Sequence, residues 1–246
     1  SNLILNTFVF LLSLALFFEW MKVSESSFKK NVIFLSLFSI LIGCILGIGI
    51  FFEPISFIAM LGITIWIVIA YQIFFREGRL SSNFAFTNFW VGLILISTFC
   101  LICFQFVNGS RLFLLIAIFN VAVFDSGAYI IGKNFGKNSF LPKLSPNKTI
   151  EGLIGGLTSS IVFVIFLCIL LEEVSLRASA ALMLSIPFAL CGDYFLSFLK
   201  RKANIKDTGS ILPGHGGLLD RFDSHLAAIP MTAFFSHLLF TIGSYF

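Results

Sequence analysis

The chain has 246 residues, of which 58% are hydrophobic and 11% charged, with a formal net charge of +4 and a mean hydropathy of +1.02. Soluble domains carry roughly 25% charged residues, so this composition excludes a soluble globular protein and indicates a polytopic membrane protein. The basic excess is modest, and Lys and Arg beside membrane spans report orientation, so a nucleic-acid partner is not expected.

Crossing a hydrocarbon core takes about 20 apolar residues. Stretches of that kind recur at residues 3–21, 32–52, 55–75, 84–107, 112–131, 153–171, 178–198 and 226–246. They are continuously apolar and do not alternate, which predicts helices and not barrel strands. The expected fold is an all-α bundle of eight transmembrane spans forming one domain over residues 1–246. Residues 1–110 read as a helical scaffold, and residues 111–246 carry the polar motifs. The first span has no basic region or small-residue cleavage site and does not read as a cleavable signal.

Basic residues fall on alternate sides of these spans. One side holds Lys22, Lys29 and Lys30, then Arg76 and Arg79, then Lys133, Lys137, Lys143 and Lys148, then Lys200, Arg201, Lys202, Lys206 and Arg221; the other holds Arg111 and Arg177. Lys and Arg are retained on the cytoplasmic side. The loops 132–152 and 199–225 are therefore expected in the cytoplasm, with Ser1 outside. The five cysteines, Cys44, Cys100, Cys103, Cys168 and Cys191, all lie in apolar runs. There a thiol packs as a small hydrophobe, and the C-x-x-C at Cys100 and Cys103 lacks the βαβ setting of a redox pair.

Asp125 and Asp193 fall inside the fifth and seventh spans, in the half facing the basic loops. An ionised carboxylate at a helix centre costs about 2.5–3.5 kcal/mol on insertion scales. A neighbouring lysine would offset that cost, and so would a divalent cation. Asp220 and Asp223 are three apart and share a face if helical. Hard cations such as Mg²⁺ take carboxylate oxygens and leave positions for substrate phosphates. On the seventh span Asp193, Ser197 and Lys200 follow i, i+4, i+7 and lie on one helix face, an arrangement suited to a phosphorylated ligand beside a cation. Lys200 alone would also serve as an interfacial anchor, and Lys206 with Asp207 as a surface ion pair. His215 has no second histidine or cysteine at zinc spacing.

The loop before the sixth span reads DSGAYIIGKNFGKN and then LPKLSPNKTIEG. It lacks the P-loop pattern. Ser145, Lys148 and Thr149 precede a helix start, where free amides and the positive dipole end favour an anion. Ordinary capping and orientation-setting lysines account for the same residues. Gly152, Gly155 and Gly156 are expected to permit close helix packing.

The polar stretch SFLKRKANIKDTGSILPGHGGLLDRFDS, residues 197–224, gathers five of the sixteen basic residues and three of the twelve acids. It resembles the signature of the integral-membrane phosphatidate cytidylyltransferases, or CDP-diacylglycerol synthases: S-x-hydrophobic-K-R, then K-D-x-G, then L-P-x-H-G-G-hydrophobic-x-D-R-hydrophobic-D. DSGAYIIGKNFGK, SPNKTIEG and the Gly192–Asp193 pair are similar to that family's other blocks, in the same order. Family members usually begin with one further hydrophobic helix before the segment ending here in Phe18, Glu19 and Trp20, and usually carry Glu where Leu196 stands.

The resemblance implies transfer of the cytidylyl group of CTP to phosphatidate, giving CDP-diacylglycerol and pyrophosphate for phospholipid biosynthesis. It implies a catalytic set of Asp193, Lys200, Arg201, Lys206, Asp207, His215, Asp220, Arg221 and Asp223. Asp125, Ser145, Lys148, Thr149, Ser197, Gly216 and Gly217 are the implied substrate-binding residues. Asp193, Asp220 and Asp223 would hold Mg²⁺, with a second cation dependent on the acid that Leu196 replaces; Asp125 is either a cation ligand or a lysine's structural partner. A homodimer and a bacterial inner membrane are expected on the same ground. A CTP-dependent polyprenol or phytol kinase is the alternative, and a cation-coupled transporter using Asp125 and Asp193 a more distant one, since no repeat relates the two halves.

Overall fold

A computed structural model describes residues 2–24, 55–75, 89–142, 145–171, 174–209 and 216–243. These residues form seven helices: α1 (Asn2–Val23), α2 (Ile55–Phe75), α3 (Phe89–Gly109), α4 (Arg111–Phe135), α5 (Ile150–Leu170), α6 (Leu176–Lys202) and α7 (Leu219–Gly243). Two short strands, β1 (Ser139–Leu141) and β2 (Ser145–Thr149), separate α4 from α5. The expected span at 32–52, Cys44 and His215 lie outside the described residues.

Five helices, α1 and α3 to α6, are long and apolar enough to cross a membrane, and 59–75 of α2 is a shorter apolar helix. The segment expected as the last span forms α7, which begins at Leu219, ahead of its apolar run, and is not among the five. The expected all-helical fold class stands, with one addition. β1 and β2 pair antiparallel, Ser139 opposite Thr149 and Leu141 opposite Ser145, so the polar loop is held as a hairpin against the end of the bundle.

The main core gathers α1, α2, α3, α6 and α7 around Trp20, Trp66 and Phe195. Trp66 meets Phe195 edge-on at 5.9 Å, and Trp20 meets it at 6.2 Å; such tilted contacts suit the ring quadrupoles. Cys100, Cys103 and Cys191 are buried free thiols, and Cys168 is exposed. On the outside, α5 exposes Ile154, Val162, Ile165, Phe166 and Ile169, a surface that water would penalise and hydrocarbon would not.

Inside a bilayer, helices associate through close packing and not through hydrophobic burial. The α4–α5 pair is built that way. A side chain at Gly127 would collide with Ser159, one at Gly155 with Ile131, and one at Gly156 with the Phe124 ring. The packing role expected for Gly152, Gly155 and Gly156 is thereby accounted for, Gly152 lying against the Ala128 carbonyl.

Candidate active site

The polar residues converge where Gly192 of α6 packs against Asp223 of α7. A Cβ at Gly192 would strike the backbone oxygen of Asp223, so the glycine lets the two helices approach at the level of Asp193 and Asp223. Opposite them, β2 ends in Lys148 and Thr149. Lys148 forms an ion pair with Asp193, and its ammonium lies 4.3 Å from the centre of the Tyr194 ring. Thr149 is the N-cap of α5, its hydroxyl oxygen accepting from the Gly152 amide at 3.1 Å. Capping therefore occupies Thr149, as one of the two sequence readings allowed. Glu151 accepts from the amides of Lys137 and Asn138 at 3.1 and 3.2 Å, which ties the hairpin to α5.

A second constellation forms where α6 ends. Asn204 takes a left-handed conformation at φ 52°, one that asparagine tolerates, and the chain leaves the helix there. Lys200, in the last turn, donates to Oδ1 of Asp220 at 2.7 Å. Oδ2 of Asp220 accepts from the Thr208 amide at 2.9 Å and from the Thr208 hydroxyl and the Gly217 amide at 3.0 Å each. Gly216 turns at φ +81°, which a glycine supplies without strain, and brings that amide into position. Burial opposes the charge of Asp220, but the Lys200 ammonium and the Thr208 and Gly217 amides outweigh it and hold the carboxyl below the usual range.

Both constellations open into one cavity of about 750 Å³. Asp125, Ser145, Lys148, Thr149, Asp193, Lys200, Asp220 and Asp223 all line it. Asp125, Asp193 and Asp223 lie within electrostatic reach of one another and of Lys148, and the side chain of Ser224 is hydrogen-bonded to Asp125. Ser197, Arg201, Lys206, Asp207 and Arg221 are not among the lining residues; all but Ser197 are exposed. The Gly217 amide serves Asp220 and does not face the cavity as a ligand donor.

Tyr194, Asn147 and Lys133 also line the cavity and were not read as site residues in the sequence, nor was Thr208. Tyr194 follows Asp193 directly and Thr208 occupies the variable place in K-D-x-G, so neither carried a signal of its own. Glu19, an acid inside an apolar span, did carry one. It is completely buried.

The sequence model of the cytidylyltransferase family matches residues 1–239. The chain belongs to the cytidylyltransferase family. Curated relatives named phosphatidate cytidylyltransferase align with part of this cytidylyltransferase-family chain. That of Staphylococcus haemolyticus is 43% identical over 122 residues, 48% of this chain and 46% of the relative. That of Bacillus subtilis is 42% identical over 113 residues, 45% of this chain and 42% of the relative. The aligned part thus spans a little under half the length of each.

Proposed function

We propose that this chain transfers the cytidylyl group of CTP to phosphatidate, forming CDP-diacylglycerol and releasing pyrophosphate. The observation that carries the reading is the meeting of Lys148, Lys200 and four aspartates in one cavity of a cytidylyltransferase-family membrane chain. A phosphate oxygen of phosphatidate bonds to the α-phosphorus of CTP while the bond from that phosphorus to the bridging oxygen breaks. Pyrophosphate leaves with the electron pair. The attacking group is already an anion, so the site needs charge screening and in-line placement more than a strong base. Lys148 and Lys200, each held by an aspartate, are pre-aimed cations for the phosphates.

Magnesium is the cofactor of this reading. Around Lys148, Asp125, Asp193 and Asp223 outnumber the ammonium, and this hard oxygen set suits a dication. Among the described residues no three His, Cys, Asp or Glu side chains form a metal-holding group by themselves, so an ion here would need substrate phosphates for its remaining positions. Asp193 and Asp223 are the ligands we assign, with Asp125 beside them; Asp220, both oxygens engaged, holds Lys200. Bound there, Mg²⁺ supplies neutralisation of phosphate charge. The distribution of basic residues supports eight spans and a cytoplasm-facing site; the bacterial inner membrane rests on the family resemblance, and phosphatidate enters from the cytoplasmic leaflet with its acyl chains still in hydrocarbon. A homodimer belongs to the same reading.

The test uses the purified chain in detergent with CTP labelled at the α-phosphate, with Mg²⁺ and with chelator. Labelled CDP-diacylglycerol formed only with Mg²⁺ is the expected result. Lipid labelled from γ-labelled CTP instead would establish the kinase, and no lipid product from either nucleotide would overturn the reading.

A further inference from the structure

Glu19 lies near the end of α1, far in sequence from every motif above, and its side chain is wholly buried. A carboxylate in such a place is costly unless charge and hydrogen bonds compensate it. The compensation comes from the start of α7. Oε2 of Glu19 accepts from the Leu219 amide at 2.7 Å and from the Thr208 hydroxyl at 3.0 Å. The first amide of α7, at the positive end of its dipole, thus meets a carboxyl oxygen supplied by α1.

The same Thr208 hydroxyl stands 3.0 Å from Oδ2 of Asp220. Its single proton is shared between the two carboxyl groups or serves one at a time, so Thr208 couples Glu19 to Asp220. The local backbone is shaped around Glu19 as well. A Cβ at Gly209 would collide with Oε1 of Glu19, and one at Gly217 would run into Thr208 and Oε2 of Glu19. Two glycines flanking the Asp220 pocket are therefore fitted to a side chain of α1.

We propose that Glu19 is a positioning residue. Through Thr208 and the Leu219 amide it fixes residues 207–209, residues 216–217 and the first turn of α7, and so fixes where Asp220 and its partner Lys200 stand in the cavity. The kinetic part of this proposal rests on the cytidylyltransfer reading; the structural part does not.

The test uses the full chain in detergent, carrying Glu19→Ala, Glu19→Gln, Thr208→Val, or Glu19→Ala with Thr208→Val. Amide hydrogen exchange is read first, because it needs no turnover. Glu19→Ala is expected to speed exchange on the order of tenfold at 208–209 and 216–220 while α4 and α5 stay unchanged. Glu19→Gln keeps most of the protection, since its carbonyl oxygen accepts from the Leu219 amide. Kinetically, Glu19→Ala is expected to lower kcat on the order of 30-fold with the KM for CTP nearly constant, and the double variant is no worse than the single one. Should Glu19→Ala fail to fold, Thr208→Val removes the link without emptying the Glu19 site and is expected to give the same local exchange. Unchanged exchange at these positions, a uniform rise across all helices, or additive losses in the double variant would each overturn the proposal. An inactive parent chain would count against the cytidylyltransfer reading alone, leaving the exchange result to decide the role of Glu19.

Discussion

The Lys200 ammonium and Oδ1 of Asp220 stand 2.7 Å apart, joining the last turn of α6 to the first turn of α7. Their side chains are 22% and 11% exposed, so the pair is neither a solvated surface contact nor a dry one. Lys200→Met leaves Asp220 with its three other donors but without a counter-charge. The expected cost is about 2 kcal/mol of stability, the scale of a charged hydrogen bond. Asp220→Asn should lose a similar amount, and the double variant much less than the sum. Thermal unfolding in detergent reads the cycle; strict additivity would mean that the pair is not formed in solution.

The same carboxylate predicts a pH dependence. Its folded value lies below the usual one, and the unfolded reference is about 3.9. Above that reference Asp220 is ionised in both states and its contribution is complete. As pH falls below it, the unfolded chain takes up the proton first, and the contribution fades until the lowered folded value is passed. The stability gap between the parent and Asp220→Asn should be flat from about pH 7 to 5 and close below about pH 4. A gap that widened on acidification would contradict the ion pair.

Gly192 offers a test of how the two helices create the site. Alanine there would drive its methyl group into the Asp223 carbonyl, and a backbone oxygen cannot rotate away. Gly192→Ala is expected to cost about 1–3 kcal/mol as an overpacked contact and to lower activity further by separating Asp193 from Asp223. Gly109→Ala, where a new methyl group meets nothing within 4 Å, is the matched control. Equal effects of the two substitutions would show that the close approach is not what places the aspartates.

Five of the expected spans were legible because uninterrupted apolar length is a direct physical signal, and the shorter apolar helix α2 begins and ends where its run does. The early start of α7 was not. Its first turn, Leu219 to Phe222, includes the polar pair Asp220 and Arg221 and is held by Glu19 and Thr208, contacts that arise only after folding. The hairpin was equally hidden, since Ser145–Thr149 contains a proline and an asparagine and no alternation of apolar residues. Within the site, acids inside spans announced themselves by their cost, whereas the pairing of Asp193 with Lys148, from separate elements, required the fold.

Asp193→Asn and Asp223→Asn address the metal assignment. Each keeps the side chain's shape and removes one negative charge from the group that includes Asp125. Activity is expected to fall on the order of 100-fold or more, the scale of losing an electrostatic contact to the reacting phosphates, and the Mg²⁺ concentration needed for half-activation should rise. Folded variants with full activity and unaltered Mg²⁺ dependence would rule out these two residues as ligands.

The orientation can be decided with two cysteines. Ser110 is exposed between α3 and α4, and Lys206 is exposed beyond the end of α6. Three helices, α4, α5 and α6, lie between them, each long and apolar enough to cross a membrane. An odd number of crossings puts the two positions on opposite sides. The basic residues gathered around Lys206, against Arg111 alone beside Ser110, make the cytoplasm the expected side for Lys206. In intact bacterial cells an impermeant maleimide should label Ser110→Cys above the background of the parent chain, and Lys206→Cys only after the membrane is opened. The reverse pattern would turn the site to the outside, away from cytosolic CTP. Labelling of both from one face would mean that one of the three helices does not cross.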